Sequence, residues 1–226
     1  MYESSPLLRF AEDRLQLIAL LFMATVYALK IRWILAFPAG KDWQAPHGTD
    51  RTSPRRGATR SLFAIATPWT MASTRHHPLL YLQFAIFHTA VAASIAMSFV
   101  IPYAPKLLQR YALVWLLQIL FSAAAVVGVA RSIRRVASPY MRAISSPDDY
   151  FSLALLTVWF VFSALAAPNA WPIREWPLLA YFFLTAFFLV YVPFSKISHY
   201  LFYPFARWYL GRTLGHRGVY PVVKGA

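Results

Sequence analysis

Six histidines are the residues of this 226-residue chain best suited to binding chemistry, and two of them, His88 and His199, fall inside long apolar stretches. An imidazole is costly in hydrocarbon, so one within a membrane span marks a functional group by default. It can ligate a metal through a ring nitrogen or carry a hydrogen bond between helices. His199 closes the stretch from Trp176, whose run Leu178 to Val192 holds no charge, and it follows Pro193-Phe194-Ser195-Lys196-Ile197-Ser198. His88 stands ten residues beyond Pro78 in a second apolar run, about 15 Å along a helix. If the last span continues through Tyr203 to Arg207, His199 lies about 12 Å from its end. Two imidazoles at similar depth on facing helices can hold a haem iron, as helix bundles do for cofactors. The plainer alternatives are an interhelical hydrogen bond, or a His199 that snorkels toward water.

The other histidines weigh less. His76 and His77 compete with His88 as a ligand, since positions 77 and 88 share a helix face, but they sit where a chain enters the membrane surface. His47 and His216 lie in polar, basic segments and are expected to be solvated. The chain has no cysteine, which leaves no disulfide, thiolate metal site or iron–sulfur cluster held by this chain alone. The later spans hold no Asp or Glu, so a carboxylate proton relay finds no support there.

The elements that must position these residues are transmembrane helices. Hydrophobic residues make up 59% of the chain and charged residues 13%, too apolar a balance for a soluble domain. Aromatic residues reach 17%, as befits belts at both bilayer surfaces. The expected fold is an all-α membrane protein, a five-helix bundle forming one membrane domain. Its spans are expected at about 15–37, 78–100, 111–130, 150–167 and 176–203, with Pro102 closing the second and a basic tail at 204–226. The fourth is entered through Ser145-Ser146-Pro147-Asp148-Asp149, which supplies helix-start chemistry. The segment Ser61 to Arg75 is mildly apolar, contains Pro68-Trp69, and is expected to lie on the membrane surface. The N-terminal run is read as a retained helix rather than a cleaved signal.

The net charge of +14 is a topological signal. Lys41, Arg51, Arg55, Arg56, Arg60 and Arg75 gather in one loop, Arg131, Arg134, Arg135 and Arg142 in another, and Lys196, Arg207, Arg212, Arg217 and Lys224 toward the end. The opposite side holds Arg9, Arg14, Lys106, Arg110 and Arg174. The positive-inside rule puts the N-terminus outside and the C-terminus in the cytoplasm of a multi-pass inner-membrane protein. With no recognisable binding module, a nucleic-acid partner is not expected.

Several stretches together resemble a known family: Pro68-Trp69, His77-Pro78 leading to Phe87-His88, and Ser146-Pro147-Asp148-Asp149-Tyr150. The strongest is Pro193-Phe194-Ser195-Lys196-Ile197-Ser198-His199, followed by Phe205-Ala206-Arg207-Trp208-Tyr209-Leu210-Gly211 and His216-Arg217-Gly218-Val219. Their order and spacing resemble the membrane cytochrome b subunits related to the gamma subunit of respiratory nitrate reductase. The nearest branch is that of sulfate-reducer transmembrane redox complexes and heterodisulfide-reductase-like membrane complexes. The resemblance implies b-type haem bound through helices two and five, with His88 and His199 as axial ligands. It implies electron transfer between quinone or menaquinone and an iron–sulfur subunit on the cytoplasmic side, or a multihaem cytochrome c. Such a subunit is not catalytic alone.

Two departures set the haem count. Where two-haem members carry further histidines, this chain has Met97-Ser98-Phe99 and, on helix five, Tyr181; one haem is expected, near the inner face. Arg60, Arg75, Arg131, Arg134 and Arg135 are candidates for its propionates. Lys196, Tyr181 and Tyr203 are candidates for a quinone carbonyl. The competing function is a cofactor-free membrane anchor. A small-solute transporter would want broken helices in paired halves, and five spans offer none.

Overall fold

The computed structural model describes residues 4–49, 51–170 and 172–221. Lys224, counted above with the basic tail, lies outside them. Among the described residues the chain is helical without strands, and five helices are long and apolar enough to cross a membrane. These are α1 (Pro6–Ala36), α3 (Pro78–Tyr103), α4 (Tyr111–Ala137), α5 (Pro147–Ala166) and α6 (Trp176–Tyr191), the last continuing as an apolar segment to Phe194. Two further helices, α2 (Pro54–Phe63) and α7 (His199–His216), are more polar. The chain divides into two compact units, one of residues through Val26 plus Leu82–Ile197, the other of Tyr27–Tyr81 plus the chain from Ser198.

Local chemistry explains where the helices begin and end. The second runs on to Tyr103 with Pro102 inside it, because a proline there disturbs only the last turn. α4 continues past Arg131 to Ala137; arginine is a good helix former, and cations suit the negative end of the dipole. α5 starts at Pro147, three residues before the expected 150, because Asp149 reaches back to accept from the Ser146 amide at 2.8 Å and hydroxyl at 2.9 Å. That is the reciprocal chemistry of a capping box.

The expected fifth helix, 176–203, is interrupted. α6 ends at Tyr191, two short 3-10 turns cover Val192–Phe194 and Lys196–Ser198, and α7 starts at His199. Pro193 has no amide to continue the helical ladder, and Ser195 is extended (φ −100°, ψ 170°). The groups released by the break find partners both near and far in sequence. Ser195 donates its hydroxyl to the Val192 carbonyl at 3.1 Å, and the Lys196 amide donates to Asp148 at 2.9 Å. The depth count for His199, which assumed one continuous helix, therefore does not hold. The segment expected as a tail from 204 is helical through His216.

In the first unit, α4 and α5 cross closely at Gly128, where an added Cβ would stand 2.2 Å from the Thr157 hydroxyl. α5 and α6 share a core of large rings: Trp159 lies 4.9 Å from Phe188 and stacks parallel to Tyr181. The start of α1 docks on α6 through polar side chains. Gln16 donates to the Phe182 carbonyl at 2.7 Å, and Glu175 accepts the Ser5 amide at 2.8 Å.

In the second unit, α2 and α7 pack backbone to backbone. Gly57 and Gly211 face each other so closely that a Cβ on Gly57 would lie 2.1 Å from the Gly211 carbonyl oxygen. Gly215 likewise stands against Ser53. Tyr203 donates to the Leu62 carbonyl at 3.0 Å and Arg207 to that of Ser61 at 3.2 Å. The loop before α2 is tied to the end of α7 by amides of Gly48 and Thr49 donating to Arg217 and Gly218 carbonyls, each at 3.0 Å. Gly218 has φ +80°, a conformation glycine adopts without strain. Arg217 also donates two bonds of 2.9 Å to Asp42.

Candidate functional site

His88 is the eleventh residue of α3, and its ring is exposed. Its Nδ1 lies 2.8 Å from the Phe84 carbonyl oxygen, and the imidazole rests on the Phe84 ring at 4.0 Å between centroids. When Nδ1–H donates to a carbonyl, the lone pair available to a metal is on Nε2, and the ring orientation is fixed. The preceding residue, Phe87, is buried and meets Phe160 edge to face at 5.0 Å.

Arg131 of α4 joins this neighbourhood. Its guanidinium stands 5.5 Å over the Phe87 ring, it is half-buried, and no described carboxylate pairs with it. Arg135, one turn on, is more committed. It donates to the Ser145 hydroxyl at 2.6 Å and lies 3.7 Å from Asp149, while its buried Nε has no partner. Arg134 is exposed. Of the remaining candidates, Arg60 sits on α2, and Arg75 is exposed and donates to the Trp69 carbonyl at 3.0 Å.

His199 is the first residue of α7, exposed, and meets Tyr200 edge to face at 6.5 Å. It belongs to the second unit and His88 to the first. His76 and His77 are exposed, at and just beyond the short helix Ala72–His76. His47 and His216 are exposed as well. Among the described residues no three His, Asp or Glu side chains gather as they would around a metal ion; bis-imidazole ligation of haem needs no such cluster.

The quinone candidates already hold partners. The Lys196 ammonium donates to Asp149 at 2.6 Å. The Tyr203 hydroxyl serves Leu62, as noted. Tyr181 is fully buried and donates to the Ser94 carbonyl at 2.5 Å. Around it, in the part of the first unit that lacks the further histidines, the interior is filled. Ser94 and Ser163 share a 2.7 Å hydrogen bond, Trp159 donates to Thr185 at 2.9 Å, and Met97 is buried.

Two features escaped the sequence reading. The Asp148–Asp149 pair does more than start a helix. Asp148 accepts from the Tyr191 hydroxyl and the Lys196 amide, and Asp149 ion-pairs with Lys196, so the pair pins the break between α6 and α7. No local signal links residues that far apart. The glycine seam of α2 and α7 did leave a signal: Gly211 and Gly215 are four residues apart, the small-xxx-small spacing of close helix pairs.

The chain is similar to a protein of Nitratidesulfovibrio vulgaris (strain Hildenborough) described only as "Protein". The two are 27% identical over 162 residues, covering 69% of this chain and 70% of that relative. No family model matches the chain, and no solved structure matches it.

Proposed function

We propose that this protein is a haem b-containing membrane subunit of a respiratory redox complex. It would relay electrons between the quinone pool, menaquinone included, and an iron–sulfur or multihaem partner. The supporting observation is His88: an imidazole exposed on an apolar span, its ring oriented by the Phe84 carbonyl 2.8 Å from Nδ1. Hydrocarbon is a poor neighbour for such a group, and a ligand plane covering it resolves the conflict. The donor chemistry suits haem. The imidazoles of His88 and His199 would hold its iron, and the half-buried Arg131, with no described carboxylate paired to it, would suit a propionate. Arg135 and Arg75 are secondary propionate partners. Haem bound in this way supplies one-electron transfer at a potential set by its ligands and their hydrogen bonds.

The chain's own residues do the positioning. The Phe84 carbonyl fixes the His88 ring, and Phe87 carries Arg131 beside it. A quinone carbonyl would take the Tyr203 hydroxyl only by displacing the Leu62 carbonyl, and would share the Lys196 ammonium, which has three donors, with Asp149. Burial of Tyr181, Met97 and Ser94 in a filled interior supports one haem per chain, not two. The N-terminus is read as outside, with the basic loops and the cytoplasmic redox subunit inside.

The same filled interior favours a second reading, a cofactor-free anchor of such a complex. A pyridine haemochrome assay on the purified chain separates the two. One haem per polypeptide supports the cytochrome, none supports the anchor, and two contradicts the ligand assignment.

A further inference from the structure

The second unit carries most of the molecule's excess charge. Twelve Lys and Arg stand there against two acids, Asp42 and Asp50. Asp42 is engaged by Arg217, and Asp50 lies outside the described residues. Arg207 and Arg217 help hold the unit together, and Arg56 donates to the nearby Arg51 carbonyl at 2.9 Å, but Arg55 and Arg212 have no such task among the described residues. α2 turns Gly57, Ala58 and Ser61 into its seam with α7 and leaves Arg55 and Arg56 exposed. On α7, Arg212 is exposed beside the buried Gly211. Arg55 and Arg212 form no ion pair among the described residues. Arg55 and Arg56 also sit in the first turn of α2, where the helix dipole disfavours cations, so helix stability does not account for them.

The same unit exposes large aromatics: Trp43 is 82% exposed, Trp69 66% and Trp208 47%. Lys41 lies over the Trp43 ring at 4.2 Å. Indoles settle at the headgroup level of a bilayer, and basic residues are drawn to anionic lipid. Either signal alone is weak; together they hold a surface against a membrane. A soluble acidic protein would match the charge and leave three exposed indoles unexplained.

We propose that the outward surface of the α2–α7 unit, centred on Arg55, Arg56 and Arg212 with Trp43, Trp69 and Trp208, binds anionic phospholipid headgroups. This is independent of any haem. The probe is spin-labelled phosphatidylglycerol, compared with spin-labelled phosphatidylcholine, in phosphatidylcholine vesicles containing the full chain at low salt. The motionally restricted fraction reports lipid held by protein. Phosphatidylglycerol is expected to be held several-fold more tightly. R55Q/R56Q/R212Q is expected to bring the ratio toward one, with up to about a fivefold loss per arginine. R55K/R56K/R212K keeps the charge and retains the preference, which rules out a merely misfolded surface. K106Q/R110Q, removing cations from the first unit, leaves the ratio unchanged. No preference in the native chain, or equal losses in the two glutamine variants, overturns the proposal. So does a glutamine triple variant that keeps its lipid preference while losing an acidic protein that accompanies the native chain.

Discussion

In the first unit, helices meet through large side chains: Trp159, Tyr181, Phe160 and Phe188 fill the space, and buried hydroxyls bond across it. In the second, α2 and α7 meet at their glycines, Gly57 against the Gly211 carbonyl, with Tyr203 and Arg207 bonding across to α2 carbonyls. Hydrocarbon gives apolar side chains little reason to leave lipid, so helices within it associate by close packing and internal hydrogen bonds. Rings and hydroxyls achieve this in most of the first unit, and glycines achieve it at Gly128 and along the α2–α7 seam. The glycine seam turns small residues inward and leaves Arg55, Arg56 and Arg212 exposed.

Lesions of the two packings should separate them. Trp159→Ala empties the ring core and is expected to cost about 4 kcal/mol, read as a lowered unfolding midpoint in detergent. Tryptic cleavage near Arg51 to Arg56 should stay as slow as in the native chain. Gly211→Leu drives a side chain into the backbone of α2 and is expected to cost roughly 3 kcal/mol. It should open that same tryptic region and leave the Trp159 core intact. Tyr181→Phe deletes the bond to the Ser94 carbonyl while keeping the ring, a loss of about 1 kcal/mol. If Tyr181→Phe destabilised as much as Trp159→Ala, hydrogen bonds rather than rings would be holding the first unit.

The smallest effect concerns the strap of the second unit. Hydrogen bonds from Arg217 hold the Asp42 carboxyl below its ordinary range. A depressed folded-state value contributes stability above the ordinary Asp range, near 3.9. That contribution is lost as pH falls through the lowered value. Amides of Gly48 and Thr49 should then exchange faster in acid, after correction for intrinsic exchange, and Asp42→Asn should show the loosened behaviour already at neutral pH.

Much of this was legible in the sequence. Four of the five spans begin at or within three residues of their expected starts, because charge-free apolar runs of that length declare themselves, whereas α1 begins at Pro6 rather than near 15. Helix ends were less legible: α4 continues through its arginines, and nothing in Arg131 to Arg135 stops a helix. The break at Val192–Ser198 was hidden for a different reason. A proline in a membrane helix can be absorbed or can end it, and the outcome here involves Asp148, distant in sequence, taking the Lys196 amide. The histidines could be singled out by type and setting. The bond of His88 to the Phe84 carbonyl, and the placing of Arg131 over Phe87, needed coordinates, since a ring's tilt and a guanidinium's reach leave no trace in spacing.

The central claim is that His88 ligates a haem iron, and the optical spectrum of purified variants tests it most directly. The native chain should show a Soret band with low-spin b-type features on reduction. His88→Ala should abolish it, while His76→Ala and His77→Ala leave it in place. A colourless native protein that is folded, or a His88→Ala variant with an undiminished low-spin spectrum, would contradict the account.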